Sequence, residues 1–592
     1  MRFNIINIVF TSLILLYGCQ GSMIDEPDIT IPELEQHIDY LASDELKGRL
    51  PGTKGDLKSA EYIRNEMKSW GLVPAAEDGL QTFEITASLE AGENNKLSID
   101  NKAVSRDQFM PFAFSESTGH TGKAVFAGYG FSINSDTLNW NDYENIDVKG
   151  KWVLILRADP EIDNAASGFA QYSSDRDKVM IAKDKGAGGV LLVSGEKFDP
   201  KDEFEALAKG EYSTGIPVFR IKRDLANHIL EESNLTVSKL EDELNNTYAP
   251  LSFTTECTVE GISELIEQRV RTYNILMTLP GNDTILKNEY VVIGGHYDHL
   301  GMGGPGSSSR AIDTIAVHHG ADDNASGIAS MLEIAEKYAA ENNNARSVLF
   351  AAFGAEEMGL LGSKYLVDHL PVDVNSINAM INLDMVGRLK ETKLLQIGGI
   401  GTAKEFRDII SQNIDTALFK TSLSEEGYGP SDHSSFYGKD VPVLFFSTGA
   451  HLDYHTPYDT PDKINYTGLV DISELVYSIS AELAGRNEKL TFMEAGPKTQ
   501  TNRSMRRGGV TLGIMPDFAG NVKNGLRADF VTPGRPAALG GMKKGDIITA
   551  INGKAINNIQ DYMYRLSELE HGQTIQVEIL RDEKKELLLI AL

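Results

Sequence analysis

The chain is expected to adopt an α/β fold, in which a mixed, largely parallel sheet flanked by helices carries two smaller β-rich modules; three features predict this. Apolar, β-branched or aromatic runs at Tyr290 to Ile293, Val348 to Phe353, Ala379 to Leu383 and Val441 to Phe446 alternate with helical patterns such as Ile328, Met331, Leu332, Ala335 and Tyr338. Such alternation implies parallel strands covered by helices on both faces. A second texture of short β-rich runs begins near Lys123, and a third follows a polar linker at Pro497 to Gly509. At 592 residues the chain exceeds what one hydrophobic core supports, so several modules are expected.

Composition narrows the class. Apolar residues at 41% and charged residues at 24% are those of an ordinary globular protein. A formal net charge of -29 without any basic block excludes a phosphate-binding surface, so no nucleic-acid partner is expected.

Taken in order, Met1 and Arg2 lead into an apolar run from Ile5 to Leu16, too short to span a bilayer but of signal-peptide length. The run ends at Leu16-Tyr17-Gly18-Cys19, which resembles the bacterial lipobox; the resemblance implies a signal peptide over 1–18, lipidation of Cys19, a tether over 19–29, and a place in the cell envelope on a bacterial membrane. Only Cys257 remains as a second cysteine, so a lipidated Cys19 leaves no intramolecular disulfide. Ile31 to Pro74 reads as amphipathic helices, with Leu34, Ile38 and Leu41, then Ala60, Ile63 and Met67 at helical spacing, broken by Gly52 and Gly55.

The runs at 124–130, 152–156 and 188–193, the helical stretch Asp177 to Lys185 and the run Ile216 to Phe219 resemble the protease-associated (PA) domain, expected as an insert over 117–257. After the linker, Val510-Thr511-Leu512-Gly513-Ile514-Met515, the 534–548 stretch and Ile551-Asn552-Gly553-Lys554 resemble a PDZ domain over 509–592. Such a domain captures peptide C-termini or extended segments by adding a strand to a sheet edge. The remaining segments, 30–116 and 258–490, are expected to form the main α/β domain, with 491–508 as linker.

In open α/β sheets the chemistry lies beyond the carboxyl ends of the strands, and five segments there carry ligand-type residues. The first is Gly294-Gly295-His296-Tyr297-Asp298-His299; histidine is a natural zinc ligand and a carboxylate two residues on suits orienting its ring. The second, Gly320-Ala321-Asp322-Asp323-Asn324-Ala325-Ser326-Gly327, opens a helix, where capping accounts for one acid but not for two in succession. The third is Gly354-Ala355-Glu356-Glu357, a pair of which one member suits a metal and the other a general base. Asp384 follows the next strand and His455 the last. Acids gathered at one sheet edge repel unless a cation neutralises them, so His296, one acid of the Asp322-Asp323 pair, one of the Glu356-Glu357 pair, Asp384 and His455 form a set suited to two adjacent zinc ions.

These segments resemble the co-catalytic zinc aminopeptidases of family M28 across nearly all of 271–490. The resemblance implies the zinc exopeptidase fold and two zinc ions per chain, one on His296 and Asp384, the other on Glu357 and His455, bridged by Asp323, which stands four residues before Gly327. It further implies Glu356 as general base on a water between the zincs, Asp298 as the residue orienting His296, and removal of N-terminal residues from peptides or proteins. Gly429-Pro430-Ser431-Asp432-His433 resembles a segment near the substrate, which makes Tyr428, Asp432 and His433 candidate substrate contacts. Two alternatives remain: another metal-dependent exopeptidase, such as a carboxypeptidase or dipeptidase, and a tethered scaffold whose PDZ and PA modules bind peptides without catalysis.

Overall fold

A computed structural model describes residues 28–592 apart from 136, 165, 208–211, 496–509, 518–521 and 523. The expected signal segment, Cys19, the tether up to residue 27 and most of the linker lie outside the described residues.

A nine-stranded sheet forms the main domain. At its centre Ser347–Phe353, Tyr290–His296, Ile377–Leu383 and Val443–Ser447 lie side by side and parallel, all four almost entirely buried. Their Val, Ile, Leu and Phe side chains point alternately into two cores, as the two-residue period of a strand requires. Val291, Ile293, Val348 and Phe350 face one core with the helices Ile31–Leu41, Lys54–Ser69, Gly327–Glu341 and Tyr466–Gly485. Val292, Leu349 and Phe353 face the other, with the helices Leu361–Asp368 and His433–Tyr437. Capping sets where the first helix begins: the Thr30 hydroxyl accepts from the Glu33 amide, with Pro32 in the first turn.

The sheet is mixed because its flanks run antiparallel, Leu265–Leu279 beside Ser347–Phe353 on one side and Leu394–Gly398 beside Val443–Ser447 on the other. Leu265–Leu279 also pairs along its length with Leu80–Ala91, and this long ribbon carries the chain out to an eight-stranded second sheet and back. That second sheet draws in Lys96–Ile99, Lys102–Ala103 and Phe109–Pro111, which precede the expected 117–257 insert, and Ser252–Ile262, which runs past its end. The three strands before the insert are only two to four residues long, too short to show the apolar alternation that would betray which core they join. The C-terminal domain is a six-stranded sheet with the helix Ile559–Ser567, and its strand Ile514–Pro516 stands at one edge.

Charged contacts join the three domains. Arg176 of the second domain meets the buried Asp561 carboxylate at 2.8 Å, and Arg565 donates two hydrogen bonds to Asp184 at 2.5 and 2.9 Å. On the opposite side Lys544 reaches Asp440 of the main domain at 2.6 Å, and the Tyr428 hydroxyl donates to the Asp529 carbonyl at 3.1 Å.

Candidate metal centre

His296 is the last residue of a central strand, Asp384 directly follows its parallel neighbour Ile377–Leu383, and Glu356 and Glu357 follow Ser347–Phe353 on the other side. Parallel register therefore delivers all of them to one edge of the sheet. Glycine is required just before His296: a Cβ on Gly295 would lie 2.5 Å from the Leu383 carbonyl oxygen, and one on Gly294 would lie 2.4 Å from that of Ala351.

Two overlapping groups result. In the first, His296 Nε2 lies 3.3 Å from Asp323 Oδ1 and 3.6 Å from Asp384 Oδ1. In the second, Glu357 lies 2.7 Å from His299 Nδ1 and 3.1 Å from His455 Nε2, while Asp323 Oδ2 is 3.3 Å from His455 Nε2. The donor atoms of His296, Asp323 and Asp384 all fall within 4.8 Å of one another, as do those of His299, Asp323 and Glu357. Asp323 thus stands between the groups with one oxygen toward each. Asp322 faces elsewhere: its carboxylate accepts from Ser326 Oγ and the Gly387 amide and lies 3.2 Å from His451 Nε2.

Nδ1 of His296 lies 3.2 Å from the Asp298 carbonyl oxygen, so a proton donated there leaves the Nε2 lone pair facing Asp323 and Asp384. The Asp298 carboxylate is farther from that ring, 3.8 Å, and accepts instead from the amides of Glu356 and Glu357 at 2.9 and 3.3 Å. Asp298 therefore sets the direction of both glutamates. The fully buried Arg49 does the same for the loop before Asp322, donating to the carbonyls of Tyr297, Leu41, His319 and Gly320.

Electrostatics follow from burial and crowding. Burial lifts the Glu356 carboxyl well above its ordinary value against the opposing pull of His296, and Asp432, Glu357 and Asp384 reinforce the rise. Burial opposes charging of His455, yet Asp323 and Glu357 outweigh it and raise the imidazole to about 10. His296 behaves likewise under Glu356 and Asp384. A cluster this acidic calls for positive charge. The residues fit divalent cations: imidazole nitrogens and carboxylate oxygens are zinc donors, and Asp323 Oδ2 is buried without a hydrogen-bond partner.

A cavity of about 820 Å³ opens onto this cluster, lined there by Ser308, Glu356, Glu357, Tyr454 and His455. Of the three expected substrate contacts, Tyr428 lines the cavity but its hydroxyl is engaged by Asp529. Asp432 and His433 are buried and are not among the lining residues; His433 stacks on Phe445 at 4.6 Å, and burial alone depresses its pKa to about 3. Sequence reasoning passed over Arg49, His299 and Tyr454. Tyr454 stacks on the His455 ring at 3.8 Å, and its place beside that histidine was the one signal for it. His299 stands three residues beyond His296 in an irregular loop, where no periodicity shows which way a side chain points.

Residues 274–480 match the family model described as Peptidase family M28, residues 120–229 the PA domain and residues 512–592 the PDZ domain. Aminopeptidase YwaD of Bacillus subtilis (strain 168) is 26% identical over 459 residues, covering 76% of this chain and 84% of that protein. Leucine aminopeptidase 1 of Blastomyces gilchristii (strain SLH14081) is 28% identical over 232 residues, which span 36% of this chain and 56% of the relative's own length. Among solved structures, BSAP, a zinc aminopeptidase from Bacillus subtilis, aligns over 78% of this chain and 97% of its own at 23% identity, with a TM-score of 0.46.

Proposed function

We propose that this chain, a metallopeptidase whose catalytic domain is of peptidase family M28 and which also carries PA and PDZ domains, is a two-zinc aminopeptidase with Glu356 as its general base. The observation that carries the reading is the pair of donor groups sharing Asp323, with a Glu356 oxygen 3.9 Å from His296 Nε2 and the same glutamate lining the cavity.

His296 and Asp384 would hold one zinc, Glu357 and His455 the other, and Asp323 both; His299 belongs to the second donor group as well, with its Nδ1 2.7 Å from Glu357. When bound, the pair of ions supplies Lewis acidity that polarises the scissile carbonyl and acidifies the attacking water. Glu356 takes the proton from that water and returns it to the departing amine, a task suited to a carboxylate that lines the cavity beside the cluster. Asp298 keeps Glu356 and Glu357 in place by accepting both of their amides. The Tyr454 phenol, on the cavity wall beside His455, stands where it can donate to the substrate carbonyl. The carboxylates where the cavity meets the cluster favour a free α-ammonium, hence attack at the first peptide bond. The relatives' printed names, aminopeptidase and leucine aminopeptidase, support this choice among exopeptidases. The lipobox-like segment at Cys19 supports a lipid tether to a bacterial envelope.

In Glu356→Gln, turnover of an aminoacyl p-nitroanilide should fall by roughly 10²–10⁴-fold, the usual loss of a general base, while zinc content by atomic absorption stays at two per chain. Undiminished turnover refutes the role of Glu356, and cleavage of N-acetylated peptides alone refutes the aminopeptidase reading.

A further inference from the structure

The cavity at the metal centre has two walls, and the second belongs to the PDZ domain. Beyond Glu357 and His455 it is lined on the peptidase side by Lys364 and Lys439 and across from them by Met515, Arg527 and Lys544. That opposite wall is held in place. The Tyr428 ring packs edge-on against Phe530 at 5.9 Å besides its hydrogen bond to Asp529, Lys544 is paired with Asp440, and the far side of the PDZ domain is pinned to the PA domain through Arg565 and Asp184.

Three of the four cations around the cavity already have carboxylates. Lys439 pairs with Asp368 at 2.6 Å, Lys544 with Asp440 at 2.6 Å, and Arg527 with Asp529 and Asp517 at 2.6 and 3.4 Å. Lys364 differs. Among the described residues no ion pair involves it, and its ammonium donates to the Gly359 carbonyl at 3.1 Å. An ammonium carries three donors, and this half-buried one is short of an anion. Burial draws its pKa below the ordinary value, and Asp517, Asp529 and Asp432 act on it only through space.

Position supplies the rest. Lys364 lies in the first turns of Leu361–Asp368, the helix that follows the Glu356–Glu357 segment. Side chains on a helix tilt toward its N-terminus, and the bond to Gly359 holds the ammonium two residues from Glu357. Lys364 and Glu357 line the same cavity, and an extended peptide advances about 3.3 Å per residue, so a substrate held at the cluster by its first residue runs toward this side chain within a few residues. A volume of about 820 Å³ is that of a small-molecule site.

We propose that Lys364 receives the C-terminal carboxylate of a short peptide, and that the PDZ domain, as the far wall of the cavity, makes this enzyme an aminopeptidase of di- and tripeptides. The proposal rests on the aminopeptidase reading above and adds its substrate class. Longer peptides, or peptides with an amidated C-terminus, leave the ammonium uncompensated.

The test compares kcat/KM for tri-alanine, its C-terminal amide and hexa-alanine, using the zinc-loaded full chain, with alanine p-nitroanilide as a probe of the aminopeptidase chemistry itself. The free tripeptide should exceed its amide by about tenfold or more, carried by KM, as suits one charge-assisted contact. Lys364→Met should bring that ratio to within about twofold, and Lys364→Arg should restore most of it, with thermal melting of both variants checking their folding. A parent enzyme that cleaves the p-nitroanilide yet is indifferent to amidation overturns the proposal, as does a Lys364→Met variant that keeps the preference. An enzyme that leaves the p-nitroanilide untouched overturns the aminopeptidase reading instead.

Discussion

At Asp142, deep in the second domain, one carboxylate accepts from the Phe131 amide at 2.9 Å and from the Trp140 indole at 3.0 Å, yet burial still lifts its pKa to about 7. A free aspartate titrates near about 3.9. An acid whose folded pKa lies above its unfolded one binds protons on folding, so its effect on stability is nil below about pH 4 and turns increasingly unfavourable up to about pH 7. We predict that the stability of Asp142→Asn relative to the parent rises by on the order of 3 kcal/mol between pH 4 and pH 7, read by urea unfolding. The hydrogen bond lost at the amide nitrogen gives only a constant offset, so a difference independent of pH contradicts the prediction. Asp298 shows the same dependence of role on surroundings. In sequence it sits where a carboxylate orients His296, whereas in the fold its backbone carbonyl faces the ring and its carboxylate holds the two glutamate amides.

Between elements, the contact most open to test is that of the helices Asp175–Asp184 and Ile559–Ser567. Arg565, itself nearly buried, grips Asp184 with two parallel N–H donors, a geometry worth about 1.5–3 kcal/mol per charged hydrogen bond. Arg565→Ala should therefore loosen the PDZ domain from the PA domain, seen as faster amide hydrogen exchange along Ile559–Ser567, and the swap Asp184→Arg with Arg565→Asp should recover part of the protection. Unaltered exchange in the single variant would show that the pair contributes nothing to docking. The pair was invisible in sequence, because Arg565 and Asp184 stand 381 residues apart and each reads alone as a solvated helix charge.

For the whole molecule, the decisive energetic feature is a knot of buried carboxylates. Asp323, Glu356, Glu357 and Asp384 share one sheet edge with three histidines, and lacking cations the acids keep protons on His296 and His455. A ligand that binds only the folded state adds RT ln(1 + [L]/Kd), about 4 kcal/mol at a thousandfold excess over Kd. Chelation should accordingly lower the melting temperature and added zinc restore it in a saturable way, followed by calorimetry. A melting curve indifferent to chelator and zinc would refute metal binding by this cluster.

Much of this was legible beforehand. The four central strands, the helix after Asp323 and the acids and imidazoles at the strand ends follow from local apolar periodicity and from the repulsion that clustered acids suffer without a cation, both of which a sequence carries residue by residue. Tertiary structure alone decided what depends on distant partners. It turned Asp323 rather than Asp322 toward both histidines, brought His299 and Tyr454 to the cluster, and recruited residues 96–111 to the second sheet. It also set the PDZ domain across the cavity from Lys364. Those outcomes rest on contacts between segments tens to hundreds of residues apart, for which no local pattern exists to be read.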